Sequence, residues 1–125
     1  MNGIGARTWA IAEGYIPPGS TGTTHELISH ETVCILNAGE QDAHVEITVF
    51  FADRAPAGPY RFTVEARRTR HLRFNDFSDP EPVPKGRDYS SVIVSDVPVV
   101  VQHTRLDTRQ PALAPLSTIA YPLER

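Results

Sequence analysis

The sequence predicts an all-β protein, an antiparallel β-sandwich of jelly-roll-like type with about eight short strands. Three observations predict it. Apolar residues recur with a period of two, most clearly from Ala43 to Phe51. Clusters of glycine, proline, asparagine and aspartate break the chain at short intervals. No stretch carries a helical period. The 125 residues read as one domain, 1–125, with no internal repeat, low-complexity run or linker.

The elements follow in order. Trp9 to Glu13 reads as the first strand, followed by a loop from Gly14 to Thr24. Glu31 to Asn37 is the second, with the apolar centre Val33-Cys34-Ile35-Leu36. In the third, Val45, Ile47, Val49 and Phe51 point one way, and His44, Glu46, Thr48 and Phe50 the other. The link Asn37-Ala38-Gly39-Glu40-Gln41-Asp42 predicts a hairpin between these two strands. Ala55 to Pro59 reads as the turn to a second hairpin. In that hairpin Phe62, Val64 and Ala66 alternate with Arg61, Thr63 and Glu65, and Arg70, Leu72 and Phe74 with His71, Arg73 and Asn75. Pro80, Pro82, Pro84 and Gly86 make Asp76 to Asp88 a loop, because proline cannot donate to a ladder. Ser90 to Asp96 and Val99 to Thr104 read as two strands joined at Val97-Pro98, and Leu116 to Tyr121 as a short last strand.

Polar clusters interrupt these strands. His30, Glu31 and Asn37 bracket one apolar run, and Asn75 and Asp76 end another. Gln102, His103, Thr104, Arg105 and Asp107 follow Val99-Val100-Val101. A buried polar atom costs about 1–3 kcal/mol unless it finds a partner. These groups therefore pair with one another, line a pocket or face another subunit. By alternation His103, Arg105 and Asp107 share one face, and Gln102 and Thr104 the other. One of these sets is expected to meet Glu13, His30 or Glu31. Trp9 with Glu13, His30, Glu31, Asn75, Asp76, Gln102, His103 and Arg105 supplies the aromatic and planar polar groups that bind a sugar or small polar ligand; the competing reading places Trp9 in the core.

Other chemistries are less well supplied. His30, His44, His71 and His103 lack the spacing of a metal site, so no metal or cofactor is expected. No nucleophile elbow accompanies the serines, and no two carboxylates are placed by sequence, so the chain does not read as an enzyme. Cys34, the single cysteine, excludes an internal disulfide and reads as a buried thiol. The net charge of −3 argues against a general nucleic-acid binder. No apolar run approaches the ~20 residues of a spanning helix, and Trp9-Ala10-Ile11-Ala12 is too short for a secretion signal. A cytosolic protein is the expectation. Arg67, Arg68, Arg70 and Arg73 are the strongest charge run, either a solvated strand edge or a contact for an acidic partner. Consecutive apolar residues, Phe50-Phe51 and Val99-Val100-Val101, mean that both faces are covered, which a lone small sandwich does not provide; an oligomer is expected.

The segment Trp9-Ala10-Ile11-Ala12-Glu13-Gly14-Tyr15-Ile16-Pro17-Pro18 resembles the opening of the sensory rhodopsin transducer family. The runs Ile28 to Gly39, Asp42 to Thr48, Arg67-Arg68-Thr69 with Arg73-Phe74-Asn75-Asp76, Val99 to Asp107 and Leu116 to Tyr121 resemble it too. The resemblance covers nearly the whole chain and departs mainly at Gly19 to Leu27, Pro80 to Tyr89 and the last residues. It implies a small cytosolic β-sandwich that assembles as a homotetramer and transmits signals from a membrane-embedded photoreceptor. It also implies a fold likened to carbohydrate-binding modules, and it carries over no catalytic residue. The first functional expectation is a soluble adaptor for the cytoplasmic face of a sensory rhodopsin or related receptor. The alternative is a regulatory module that binds a carbohydrate or small polar metabolite.

Overall fold

Eight antiparallel strands and two short 3-10 turns make up the fold, and the computed structural model describes residues 3–21 and 24–123. The expected Gly14 to Thr24 loop includes residues 22 and 23, which lie outside the described residues. The strands are β1 (Ala6–Ile11), β2 (His30–Asn37), β3 (Ala43–Phe51), β4 (Ala57–Val64), β5 (Arg68–Arg73), β6 (Tyr89–Asp107), β7 (Ala114–Ile119) and β8 (Tyr121–Leu123). The first sheet runs β4-β3-β6-β1-β8, and the second β5-β2-β6-β7. The two face each other over one core that includes Val33, Ile35 and Val101 from one side and Val45, Ile47 and Ile93 from the other. The all-β sandwich expectation holds. In β3 every inward position named by the alternation is buried or half-buried, and the outward ones are half-buried or exposed.

Strand β6 corrects the reading most. Its 19 residues form one strand, not two joined at Val97-Pro98. The first part pairs with β1 and β3, the second with β2 and β7, so β6 belongs to both sheets. The register against β1 jumps between Ala6↔Val99 and Thr8↔Val94. That bulge bends the strand from one sheet into the other and accommodates Pro98 without ending the ladder. The last expected strand divides instead: β7 lies on the second sheet and β8 on the first, with buried Ala120 between them.

Neither expected hairpin forms. Strand β2 pairs with β5 and β6, and β3 with β4 and β6, so the link from Asn37 to Ala43 crosses between sheets. Asn37 directs that crossing. Its buried amide donates to Gln41 O at 2.8 Å and Val64 O at 3.0 Å, and its Oδ1 accepts from Gly39 N–H at 3.0 Å. A hairpin joins β3 to β4 instead, with β4 starting inside the expected Ala55 to Pro59 turn. Gly58 sits at φ +131, and a register shift between Ile47 and Val49 absorbs the distortion. Pro59 is tolerated because β4 is an edge strand.

Candidate functional site

Glu31 is the second residue of β2, where alternation places it inward beside Val33 and Ile35. Its side chain is wholly buried. A carboxylate there needs partners, and the fold supplies them from three directions. Arg105 is its direct cross-strand neighbour on β6, and Arg105 Nε donates to Glu31 Oε2. The Tyr89 hydroxyl, from the start of β6, donates to Oε1 at 2.7 Å. The Tyr15 backbone N–H donates to the same oxygen at 2.9 Å. Tyr15 reaches it because its segment bridges to Asp88 and because Gly14 lies flat against Tyr89; a Cβ on Gly14 would stand 2.5 Å from the Tyr89 ring. Burial alone would raise the Glu31 pKa, but contacts with His103, Tyr89, the Tyr15 N–H and Arg105 outweigh it and hold the carboxyl below its usual range. Burial and the Glu31 charge push the Tyr89 hydroxyl up, so it remains a donor.

The network reaches solvent through Arg105. Its Nη2 donates to Glu13, whose side chain is 64% exposed while that of Arg105 is 17%. Burial opposes the Arg105 charge, but Glu13 and Glu31 more than restore it. His103, opposite Val33 on the inner face, is fully buried. Its Nε2 lies 3.3 Å from Glu31 Oε1 in an electrostatic contact outside hydrogen-bond geometry, and both ring nitrogens lack a hydrogen-bond partner. Beside Arg105 opens a cleft of about 470 Å³ lined by His30, Thr104, Leu106, Pro115, Leu116 and Ser117.

Glu13, Glu31, His103 and Arg105 therefore come together, so of the two faces that alternation separates, the one with His103 and Arg105 meets Glu31. Asn75 supports them: its Oδ1 accepts from Glu31 N–H at 3.2 Å and its amide donates to Ser29 O at 3.0 Å, extending the β2 backbone pairing. His30 borders the cleft, with Nδ1 2.6 Å from Ile28 O, and burial lowers its pKa. Three residues do not join. Trp9 is 4% exposed, and its indole N–H lies 2.9 Å from Ala6 O and 3.0 Å from Val99 O, so its ring serves the core. Gln102 is exposed on the outer face, opposite His103, and Asp76 is exposed at the end of the 3-10 turn after β5. Sequence reasoning passed over Tyr15 and Tyr89, which flank loops; the signal available was Gly14 next to an aromatic.

The arginine run occupies β5 and the residue before it. Arg68 donates to Arg67 O at 3.0 Å, Arg70 to Thr63 O at 2.8 Å and Arg73 to His25 O at 2.9 Å. Arg54, Arg61, Arg87, Arg105 and Arg109 each pair with a carboxylate. Among the described residues, no carboxylate pairs with Arg67, Arg68, Arg70 or Arg73. No set of three or more histidine, cysteine or acidic side chains among them is placed to hold a metal ion. No helix among them is long and apolar enough to cross a membrane.

Residues 4–122 match the family described as Anabaena sensory rhodopsin transducer. The chain belongs to this family. A solved structure of the Anabaena sensory rhodopsin transducer is 60% identical, covers 82% of this chain and 99% of its own, and superposes with a TM-score of 0.73. The crystal structure of Thermotoga maritima 1070 is 37% identical, covers 96% of this chain and 97% of its own, and reaches 0.83. No match was found among curated proteins. Membership of the transducer family bears out the resemblance read from Trp9 to Pro18 and from the later motifs. It supports a role as a sensory rhodopsin transducer, and the family's description names a transducer and no enzyme.

Proposed function

We propose that this protein is a cytosolic adaptor that binds the cytoplasmic face of a sensory rhodopsin or related receptor and works as a homotetramer of single-domain chains. The observation that carries the reading is the family match over residues 4–122 with a 60% identical transducer. The arginines of β5 supply a contact surface, since Arg67, Arg68, Arg70 and Arg73 concentrate positive charge on a protein of net charge −3. Assembly is supported by the other end of the second sheet. Every residue of β7 is exposed, Ile119 58% and Leu116 42%. Pro111 to Leu123 contains no charged residue. An exposed apolar edge of this kind invites pairing. The test is flotation with vesicles that carry a sensory rhodopsin. The protein should float with them and be released by salt, because exposed charge is screened over about 10 Å at 0.1 M. Equal recovery with empty vesicles would sink the receptor reading.

The alternative, a regulatory module for a carbohydrate or small polar metabolite, draws support from the convergence of Glu13, Arg105, Glu31 and the unpartnered His103 beside a cleft of about 470 Å³. It predicts that the unfolding midpoint rises with ligand concentration. A panel of neutral sugars and sugar acids that leaves the midpoint unmoved would end it.

A further inference from the structure

Strand β5 is an edge. Among the described residues it pairs with β2 alone, and Arg68–Arg73 make no backbone hydrogen bond outside that ladder. In an edge strand alternate residues turn N–H and C=O away from the sheet, which is a template for another strand. The side chains decide which strand. Arg68 and Arg70 register with Asn37 and Ile35 on the inner side, and Arg73 with Thr32 on the outer side. A second copy of β5 would set arginine against arginine, and like charges opposite each other are destabilising. An acidic strand would instead meet cations whose present partners are backbone carbonyls. Guanidinium–carboxylate pairs are the stronger, charge-assisted kind.

We infer that β5 receives an extended acidic peptide segment of a partner protein, added as an antiparallel strand. Backbone bonds hold it and the arginines select it. Six residues of β5 admit a segment of about 20 Å. Antiparallel register fixes its pattern: acidic residues opposite Arg73, Arg70 and Arg68 fall at its first, fourth and sixth positions. Nucleic acid fits less well. The protein is acidic overall, β5 and β2 carry no Phe, Tyr or Trp for stacking, and nearby Phe62 has the Arg70 guanidinium 5.6 Å from its ring centre.

This inference deepens the adaptor reading and rests on it. The probe is a blocked hexapeptide, Glu-Val-Thr-Glu-Thr-Glu, titrated by fluorescence anisotropy at low salt, with amide exchange followed at Arg68–Arg73. The peptide should bind and slow exchange at alternate β5 amides. N-methylation of a single peptide amide that faces β5 should weaken it roughly tenfold, the equivalent of one lost hydrogen bond in a dry interface. Arg68→Glu with Arg73→Glu should weaken it further, with the circular dichroism spectrum unchanged. Arg68→Glu alone keeps the test valid if the double variant fails to fold. Equal binding of the N-methylated peptide would show charge attraction without strand addition and overturn the inference. So would binding of a mixed-sequence DNA duplex with no binding of the peptide. If neither peptide binds while rhodopsin vesicles still retain the protein, this inference falls and the adaptor reading stands.

Discussion

Strand β5 closes one side of the second sheet with arginines that lack carboxylate partners among the described residues, and β7 closes the other side with six residues of no charge at all. Both are short edges of the same layer, and both expose backbone. One repels its own copy, and the other presents Leu116 and Ile119 to whatever lies beside it. A single sheet thus carries positive charge at one margin and none at the other. Between the margins lies the Glu31–Arg105 network: Glu31 on the strand that pairs with β5, Arg105 on the strand that pairs with β7.

Charging the neutral margin should have the largest effect. Leu116→Lys with Ile119→Lys should reduce a tetramer to monomer, a fourfold fall in mass by light scattering, while circular dichroism stays that of a β-protein. An unchanged mass, or a wild-type monomer at micromolar concentration, would remove β7 from assembly.

Cutting the link between the margins comes next. Glu31→Ala leaves Arg105 with only Glu13 and strips Tyr89 and the Tyr15 N–H of their acceptor. Breaking a buried pair in this way costs about 3 kcal/mol, read as a lower urea midpoint. A change below about 0.5 kcal/mol, the range of ordinary surface substitutions, would mean that Glu31 is not held as described.

Acid should separate interior from margins. Neither β5 nor β7 carries an acidic group, whereas the Glu31 carboxyl is depressed in the fold. A depressed carboxyl contributes stability that is present above its ordinary pKa, about 4, and is lost as pH falls through the lower folded value. The urea midpoint should therefore hold from neutrality to about pH 5 and fall below about pH 4. The fall should be shallower in Glu31→Gln, with Asp96 and Asp107, also depressed, supplying the rest. An identical acid limb in Glu31→Gln would assign it to those surface groups.

The smallest effect should come from making β5 resemble β7. Arg68→Thr with Arg73→Thr should cost under about 1 kcal/mol, since both arginines hold only local carbonyls. It should nevertheless speed turbidity on prolonged warming, because the charge that blocks edge pairing is gone. An unchanged turbidity time course would show that β5 is protected by something other than charge.

Much of this was legible in the chain. The alternation in β3 gave its inward face correctly, because a half-buried strand writes its orientation into residue type. The alternation also put His103 and Arg105 on one face and Gln102 on the other, but which face meets Glu31 was left open. Pairing was not legible. Asn37 and Gly39 look like hairpin residues, yet the Asn37 amide ties the link to the end of β4 and sends β3 to the opposite sheet. Proline at 98 looks like a break, but a bulge absorbs it. Trp9 carries the chemistry of a sugar platform and the burial of a core residue, and only tertiary packing separates those roles. Tyr15 contributes a backbone N–H, a group that every residue but proline offers, so residue type held no trace of it.

Strand β6 gives the sandwich a property that two stacked sheets joined only by loops would lack. Its ladder begins in one layer and ends in the other, so peeling the layers apart requires breaking hydrogen bonds along a continuous strand. Opening should be all-or-none, with amides in β2 and β3 exchanging at one common free energy.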